Sequence, residues 1–357
     1  MIPVVDLKSM TPEELEAYFK ELGQPGFRAM QVFRWLHRGV ESFDEMSDLP
    51  RALREALKER CLLTVPRVER RQVSQVDGTI KYLWRLLDGN CIETVLMRYK
   101  HGNTVCVSSQ VGCNMGCVFC ASTLGGKVRD LSPAEILDQV IFTQKDSGTE
   151  ISNIVLMGIG EPLDNFDNVV RFLELLSSPE GENLSLRHVS LSTCGLVDRI
   201  YDLMKLKLGL TLSISLHAPN DRIRGETMPI SRRYDMDTLL KACRDYFDYT
   251  GRRISFEYAL IDGLNDTPEC AAELAGRLTG MPCHVNLIPV NPVKERGYRR
   301  GSRQNILRFQ KLLEQKGINA TIRRELGSDI NAACGQLRRE SQQLPNDPSQ
   351  KRGELPC

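Results

Sequence analysis

The chain has 357 residues, 41% apolar and 26% charged, enough to bury a sizeable core. That length suits two domains, although a βα barrel can absorb about 200–250 residues in one unit. With 47 Lys and Arg against 46 Asp and Glu the formal net charge is +1, so no global imbalance points to a polyanion and any nucleic-acid site must be a local patch. The opening residues MIPVVDLKSM show only a short apolar stretch and no cleavage-site pattern. No uncharged apolar run reaches the ~18 residues of a membrane span. A cytoplasmic protein with no membrane association is expected. Its twelve cysteines would then sit in a reducing compartment, where clustering signals metal or redox chemistry more than a disulfide framework.

Thr11-Pro12-Glu13-Glu14 forms a capping box with proline at the first helical position. Further helices are predicted over 28–38 and 51–60. Residues 1–63 show few strand signals, and 1–75 is expected to be a small helical accessory domain. TIKYLWRLLDGNCIETVLMRY, residues 79–99, reads as a β-hairpin turning at Asp88-Gly89-Asn90, so 76–100 is expected to be a hairpin linker. From 101 to 337 strands and helices alternate. Strands are predicted over 103–109, 152–157, 187–192, 209–216, 253–260 and 284–288. Helices are predicted over 133–147, 165–178, 196–206, 235–248, 267–279 and 302–316, the first opened by a second capping box at Ser132-Pro133-Ala134-Glu135. Thr321-Ile322-Arg323 is a candidate last strand. Six βα units in series imply an α/β fold with a parallel sheet, either open or barrel-like. The polar, proline-containing stretch 338–357 is expected to be a disordered tail.

The chemistry centres on VGCNMGCVFCAS, residues 111–122, which spaces Cys113, Cys117 and Cys120 as C-x3-C-x2-C. Three thiolates can hold zinc or an iron–sulfur cluster. Structural zinc takes four protein ligands, and the nearest histidine, His101, lies before the strand. A ferredoxin-type cluster also takes four cysteines. Three leave one iron with an open position that can bind a substrate. The loop follows a strand and precedes a helix, which places it at the C-terminal edge of the sheet, where α/β ligand sites lie. A zinc knuckle with a remote fourth ligand is the rival reading.

With Phe119 before the last cysteine, this loop resembles the signature of the radical S-adenosylmethionine (SAM) superfamily. CVSSQVGC (106–113), GIGEPLDN (158–165), LSTCG (191–195), SISLHAPN (213–220), NLIPVNP (286–292) and AACGQL (332–337) follow in order. Together with GFRAMQVFRWLH and MSDLP near the N-terminus, they resemble the RlmN/Cfr family of radical SAM RNA methyltransferases over about residues 10–337. The resemblance implies a (βα)6 partial barrel with an RNA-binding helical accessory domain. It implies a 4Fe–4S cluster on Cys113, Cys117 and Cys120 that chelates SAM, and two SAM per turnover. An sp2 carbon of adenine has no lone pair with which to displace SAM's methyl, so the family works indirectly. A cysteine thiolate first accepts a methyl, here Cys334. A 5′-deoxyadenosyl radical made from a second SAM then removes hydrogen from that methyl, and the resulting radical adds to the base. Cys106 is implied as the resolving cysteine, forming a transient disulfide with Cys334, and Glu93 as the proton acceptor. Gly160, Glu161, Ser192, Ser215, Leu216, His217 and Asn291 match the family's SAM-contact positions.

The resemblance further implies methylation of C2 of an adenine in 23S rRNA and of an adenine beside the tRNA anticodon. Its partners would be those two RNAs and an electron donor such as flavodoxin or ferredoxin, with the enzyme a monomer. C8 methylation of the same ribosomal adenine, which confers antibiotic resistance, is the close alternative; CASTLGG and GEP favour C2. The remote alternative is a non-catalytic, zinc-containing RNA-binding protein. Phosphate contacts need local positive charge. Lys294, Arg296, Arg299, Arg300, Arg303 and Arg308 cluster around Tyr298, and RVERR (67–71) and Arg323-Arg324 add to them.

Overall fold

The structure, a computed structural model, describes residues 5–100, 102–290, 297–330 and 337. The N-terminal part holds helices α1 (Pro12–Glu21), α2 (Phe27–His37) and α3 (Arg51–Arg60), closed by the short parallel strands β1 (Val5–Asp6) and β2 (Cys61–Leu62). The capping box forms: Glu14 N–H donates to Thr11 Oγ1 at 3.2 Å, and Thr11 N–H donates to the Glu14 carboxylate at 2.9 Å.

Four strands follow: β3 (Arg67–Val73), β4 (Ile80–Arg85), β5 (Cys91–Tyr99) and β6 (Gly102–Cys106). A two-stranded ribbon, β7 (Gln110–Gly112) with β8 (Lys127–Asp130), brackets the cysteine loop. Then come α4 (Pro133–Ser147), β9 (Asn153–Leu156), α5 (Phe166–Leu176), β10 (Val189–Thr193), α6 (Val197–Lys205) and β11 (Thr211–Ser215). They are followed by α7 (Asp221–Thr227), α8 (Met236–Thr250), β12 (Ile254–Leu260), α9 (Pro268–Leu278), β13 (Cys283–Pro289), α10 (Arg303–Gln315) and β14 (Ala320–Ile322).

Ten strands form one open sheet in the order β14-β13-β12-β11-β10-β9-β6-β5-β4-β3. From β6 to β14 every pairing is parallel. The six expected strands are present, with β14 as a seventh in the parallel run. The segment 76–100 is not a linker: β4 and β5 pair antiparallel and run directly into β6, so the hairpin extends the main sheet. Strand β3 was not anticipated. It reads RVERRQV and is exposed along nearly its whole length, so no apolar alternation marks it.

The N-terminal helices are not a separate body. One apolar core runs from Leu7, Phe19 and Phe33 through Leu156 to Phe256 and Phe309. A buried ammonium stitches the two parts together: Lys8 Nζ donates to Asp138 Oδ1 of α4 at 2.5 Å and to the Thr64 carbonyl at 2.7 Å. None of the described helices is long and apolar enough to cross a membrane. Asn291, Lys294, Arg296, Cys334 and the stretch 338–357 lie outside the described residues.

Candidate active site

A cavity of about 340 Å³ opens at the C-terminal ends of the parallel strands. Cys113, Cys117 and Cys120 all line it. Their loop is held by its own backbone. Cys113 N–H donates to the Gly126 carbonyl at 3.2 Å, and Thr123 Oγ1 donates to the carbonyls of Cys117 and Cys120 at 3.1 and 3.0 Å. Gly112 makes the entry possible: its φ is +82°, and a Cβ there would stand 1.9 Å from the Gly126 oxygen. Val118 N–H donates to the Thr227 carbonyl at 3.0 Å, which ties the loop to the end of α7. Burial pushes the Cys113 thiol up to about 12 and Cys117 higher still, and neighbouring thiols add to both. A bound metal centre would reverse the preference of Cys113 and Cys117 for the protonated form.

The donor set fits a cluster better than a single ion. Three thiolates on one tetrahedral zinc lie about 3.8 Å apart, given bonds of ~2.3 Å. Among the described residues no three His, Cys, Asp or Glu side chains are grouped to hold a metal ion. A four-iron cube spreads its thiolates further.

Beyond the cysteines the cavity wall is polar. Glu161 is buried and lines it; its Oε2 accepts the Cys194 N–H at 2.8 Å and its Oε1 the Leu163 N–H at 3.0 Å. Burial raises its pKa against those hydrogen bonds. A carboxylate offers about four acceptor positions, so capacity remains toward the cavity. Gly160 precedes it at φ +110°, where a Cβ would meet Gln110 and Ser109 at 2.6–2.7 Å. Asn165, which ends the same motif, works structurally: its Nδ2 donates to the Ser109 and Leu131 carbonyls, both at 2.8 Å.

Ser192 and Ser215 end adjacent strands and face the cavity, with their hydroxyls 3.4 Å apart. Leu216 is fully buried and donates its N–H to the Glu257 carbonyl at 3.0 Å. His217 lies in the wall with φ +55°, its ring edge-on to Phe119 at 4.8 Å. Its Nδ1 accepts the Ala259 N–H at 2.9 Å, so the neutral ring carries its proton on Nε2. Burial, reinforced by the charge of Arg224, lowers its pKa to about 3.

Cys106 ends β6, opposite Val95 on one side and Val155 on the other. It lines the same cavity as the three loop cysteines, in a small apolar patch with Val95 and Met97. Glu93 lies on the same face of β5, two residues before Val95. A hairpin glutamate would ordinarily be exposed; this one is buried, with its Oε2 3.2 Å from the Lys81 Nζ. It does not line the cavity as described. Of the basic residues, Arg300, Arg323 and Arg324 stand at the cavity, and Arg300 pairs with Glu325 at 2.8 Å. Arg299 and Arg303 are exposed, and Arg308 lines a separate pocket with Asp262 and Asp266.

Three residues escaped the sequence analysis. Lys81 pairs with Glu93. Glu257, buried on β12, lines the cavity and accepts from Asn286 Nδ2 at 2.7 Å; a lone charge inside the apolar run ISFEYAL was its signal. Arg224 is buried on α7 beside the cysteine loop, and nothing in its local sequence set it apart.

Comparison with known proteins agrees with this geometry. The model of the radical SAM superfamily matches residues 107–275, and that of the ribosomal RNA large subunit methyltransferase N-terminal domain matches residues 5–63. A probable dual-specificity RNA methyltransferase RlmN from Lachnospira eligens is 52% identical over 336 residues, 94% of this chain and 96% of the relative. Its counterpart from Lachnoclostridium phytofermentans is 53% identical over 94% of each chain. The crystal structure of a radical SAM methyltransferase from Sphaerobacter thermophilus superposes with a TM-score of 0.89 at 44% identity, covering 93% of this chain and 98% of that one. With half its residues shared along nearly its full length, the chain belongs to the RlmN family of radical SAM RNA methyltransferases.

Proposed function

We propose that the chain methylates C2 of an adenine in 23S rRNA and of an adenine beside the tRNA anticodon, consuming two SAM per turnover. The observation that carries this reading is the joint lining of one cavity by Cys106 and the loop cysteines Cys113, Cys117 and Cys120. The relatives' name, dual-specificity RNA methyltransferase, supports two RNA substrates. Cys113, Cys117 and Cys120 would hold a 4Fe–4S cluster, which when bound would supply the single electron needed to split SAM. The chain's own residues then have distinct tasks. Glu161, Ser192, Ser215 and His217 orient SAM, together with Asn291. Cys334 carries the methyl group and Cys106 resolves the product. Glu93 accepts the proton.

A cavity of about 340 Å³ can take the target adenine only after the base has left its stack. Arg300, Arg323 and Arg324 line the cavity and offer positive charge to the flanking phosphates. An electron donor of the flavodoxin or ferredoxin type, a monomeric state and a cytoplasmic location complete the proposal.

The test is mass spectrometry of digested rRNA and tRNA from cells expressing the chain, with iron and sulfide analysis of protein prepared without air. The reading expects 2-methyladenosine in both RNAs and a brown, iron- and sulfide-containing protein. Finding 8-methyladenosine instead would reassign the regiochemistry. A colourless zinc protein would reject the enzyme reading.

A further inference from the structure

Arg224 is 0% exposed. Its Nη2 donates to the Cys194 carbonyl at 2.7 Å, while its Nε and Nη1 meet no hydrogen-bond partner. Among the described residues it forms no ion pair within bonding distance. An unpaired guanidinium is among the costliest groups to bury, and a chain that keeps one there must provide a counter-charge. The acidic groups near enough to act on it are the thiols of Cys194, Cys117 and Cys243 and the carboxylate of Asp221. Asp221 is exposed at the start of the same helix, and its Oδ1 is already engaged by the Met236 N–H at 2.7 Å. Cys117 lines the cavity.

The helix that carries Arg224 is fixed against the cysteine loop at two points. The Thr227 carbonyl accepts the Val118 N–H at 3.0 Å, and Pro229 packs where a Cβ on Gly116 would lie, at 3.3 Å. A Cβ on Gly195 would stand 3.3 Å from Arg224 Nη2, so the guanidinium packs against the Cys194-Gly195 turn. The charge is therefore held in place by its surroundings.

We propose that Arg224 is a positioning residue whose buried charge balances the anionic cluster held by Cys113, Cys117 and Cys120 and makes that cluster easier to reduce. A cluster carrying three thiolates is anionic, and reduction adds one more negative charge. A fixed cation close by therefore stabilises the reduced state more than the oxidised one. Net charge and hydrogen bonding near the sulfurs are the protein's chief means of setting such potentials. This inference rests on the cluster reading above but concerns a residue that reading does not use.

The test uses the full chain, reconstituted without air with iron and sulfide and poised electrochemically in the absence of RNA and SAM. Arg224→Met is expected to shift the reduction equilibrium at least tenfold toward the oxidised cluster, a fall of about 59 mV for one electron. Arg224→Lys keeps the charge without the planar fork and is expected to retain most of the wild-type potential. An unmoved potential in Arg224→Met overturns the inference, as does an Arg224→Lys variant that falls as far. The cluster-free proteins give a second measurement. Arg224→Met should melt no lower than wild type, because a lone buried charge has gone; a lower melting temperature or failure to fold makes Arg224 a structural residue and rejects the proposal. A wild-type chain that takes up no iron and sulfide fails the cluster reading itself. A loaded wild type with an Arg224→Met potential equal to its own fails only this inference.

Discussion

Lys81 Nζ lies 3.2 Å from Glu93 Oε2, with the two side chains 0% and 3% exposed. They sit on neighbouring strands but not directly opposite: Lys81 faces Val95 and Glu93 faces Leu83, so the pair is diagonal across one face of the sheet. That face continues through Val95 and Met97 to Cys106. Removing one member of a buried pair takes a close counter-charge from the other, at a cost of up to about 3–5 kcal/mol. Lys81→Met and Glu93→Gln are each expected to lose stability on that scale in urea unfolding. The double variant Lys81→Met/Glu93→Gln should lose less than the sum of the two. Strict additivity would mean that the two residues are not coupled.

Gly112 permits a test of the loop that leaves every thiol in place. At φ +82° a side chain is strained, and its Cβ would lie 1.9 Å from the Gly126 carbonyl oxygen. The left-handed conformation alone costs a non-glycine residue roughly 1–3 kcal/mol, and the backbone clash cannot be relieved by a rotamer change. Gly112→Ala is therefore expected to shift Cys113 and lower the iron and sulfide retained after anaerobic reconstitution. Gly125→Ala is the control, because a Cβ there meets nothing within 4 Å. Equal cluster content in the two variants would show that the Gly112 turn does not set the loop.

His37 makes the fold sensitive to acid. It is buried against Phe33, with ring centroids 4.2 Å apart, and neither ring nitrogen meets a hydrogen-bond partner. Burial, helped by the Lys8 charge, lowers its pKa from 6.5 to about 4. The unfolded chain therefore binds a proton that the folded chain refuses. Stability from this group is fully present above pH 6.5 and is lost as pH falls toward 4. At 1.36 kcal/mol per pH unit the whole loss is roughly 3 kcal/mol. His37→Leu should flatten that part of the stability–pH curve, measured by denaturant unfolding between pH 7 and about pH 4. An unchanged slope would place the acid sensitivity elsewhere.

Much of this was legible in the chain because the signals were local. Both capping boxes, the six βα periods and the C-x3-C-x2-C loop are short-range patterns, and a helix cap or a strand period forms wherever its residues occur. The missed features depend on distant residues. Lys81 and Glu93 meet only because β4 and β5 pair in one particular register. β3 is a strand because β4 offers it an edge, not because of its own composition. Arg224 reads as an ordinary helical arginine until α7 is folded against the cysteine loop. The residues of the hairpin mark it as a hairpin, but nothing within them says that β5 pairs with β6 and so extends the main sheet.

The two proposed redox cysteines provide the sharpest test of the methyl relay. Cys106 lines the cavity beside Val95 and Met97; Cys334 is placed in the relay by its AACGQL motif. The two do different chemistry, so their variants should fail differently. Without Cys334 no thiolate accepts the first methyl. Cys334→Ala is expected to keep its iron, sulfide and brown colour while methylation falls by roughly 10⁴-fold or more, the scale of removing a nucleophile. Cys106→Ala leaves that thiolate in place but removes the group that resolves the product. It should therefore accumulate a covalent protein–RNA adduct, seen by peptide mass spectrometry after RNA digestion as a base joined to Cys334 through a methylene carbon, while multiple-turnover methylation stops. If Cys334→Ala methylates RNA at a rate near wild type, the methyl reaches adenine without a cysteine carrier, and both assignments fall together.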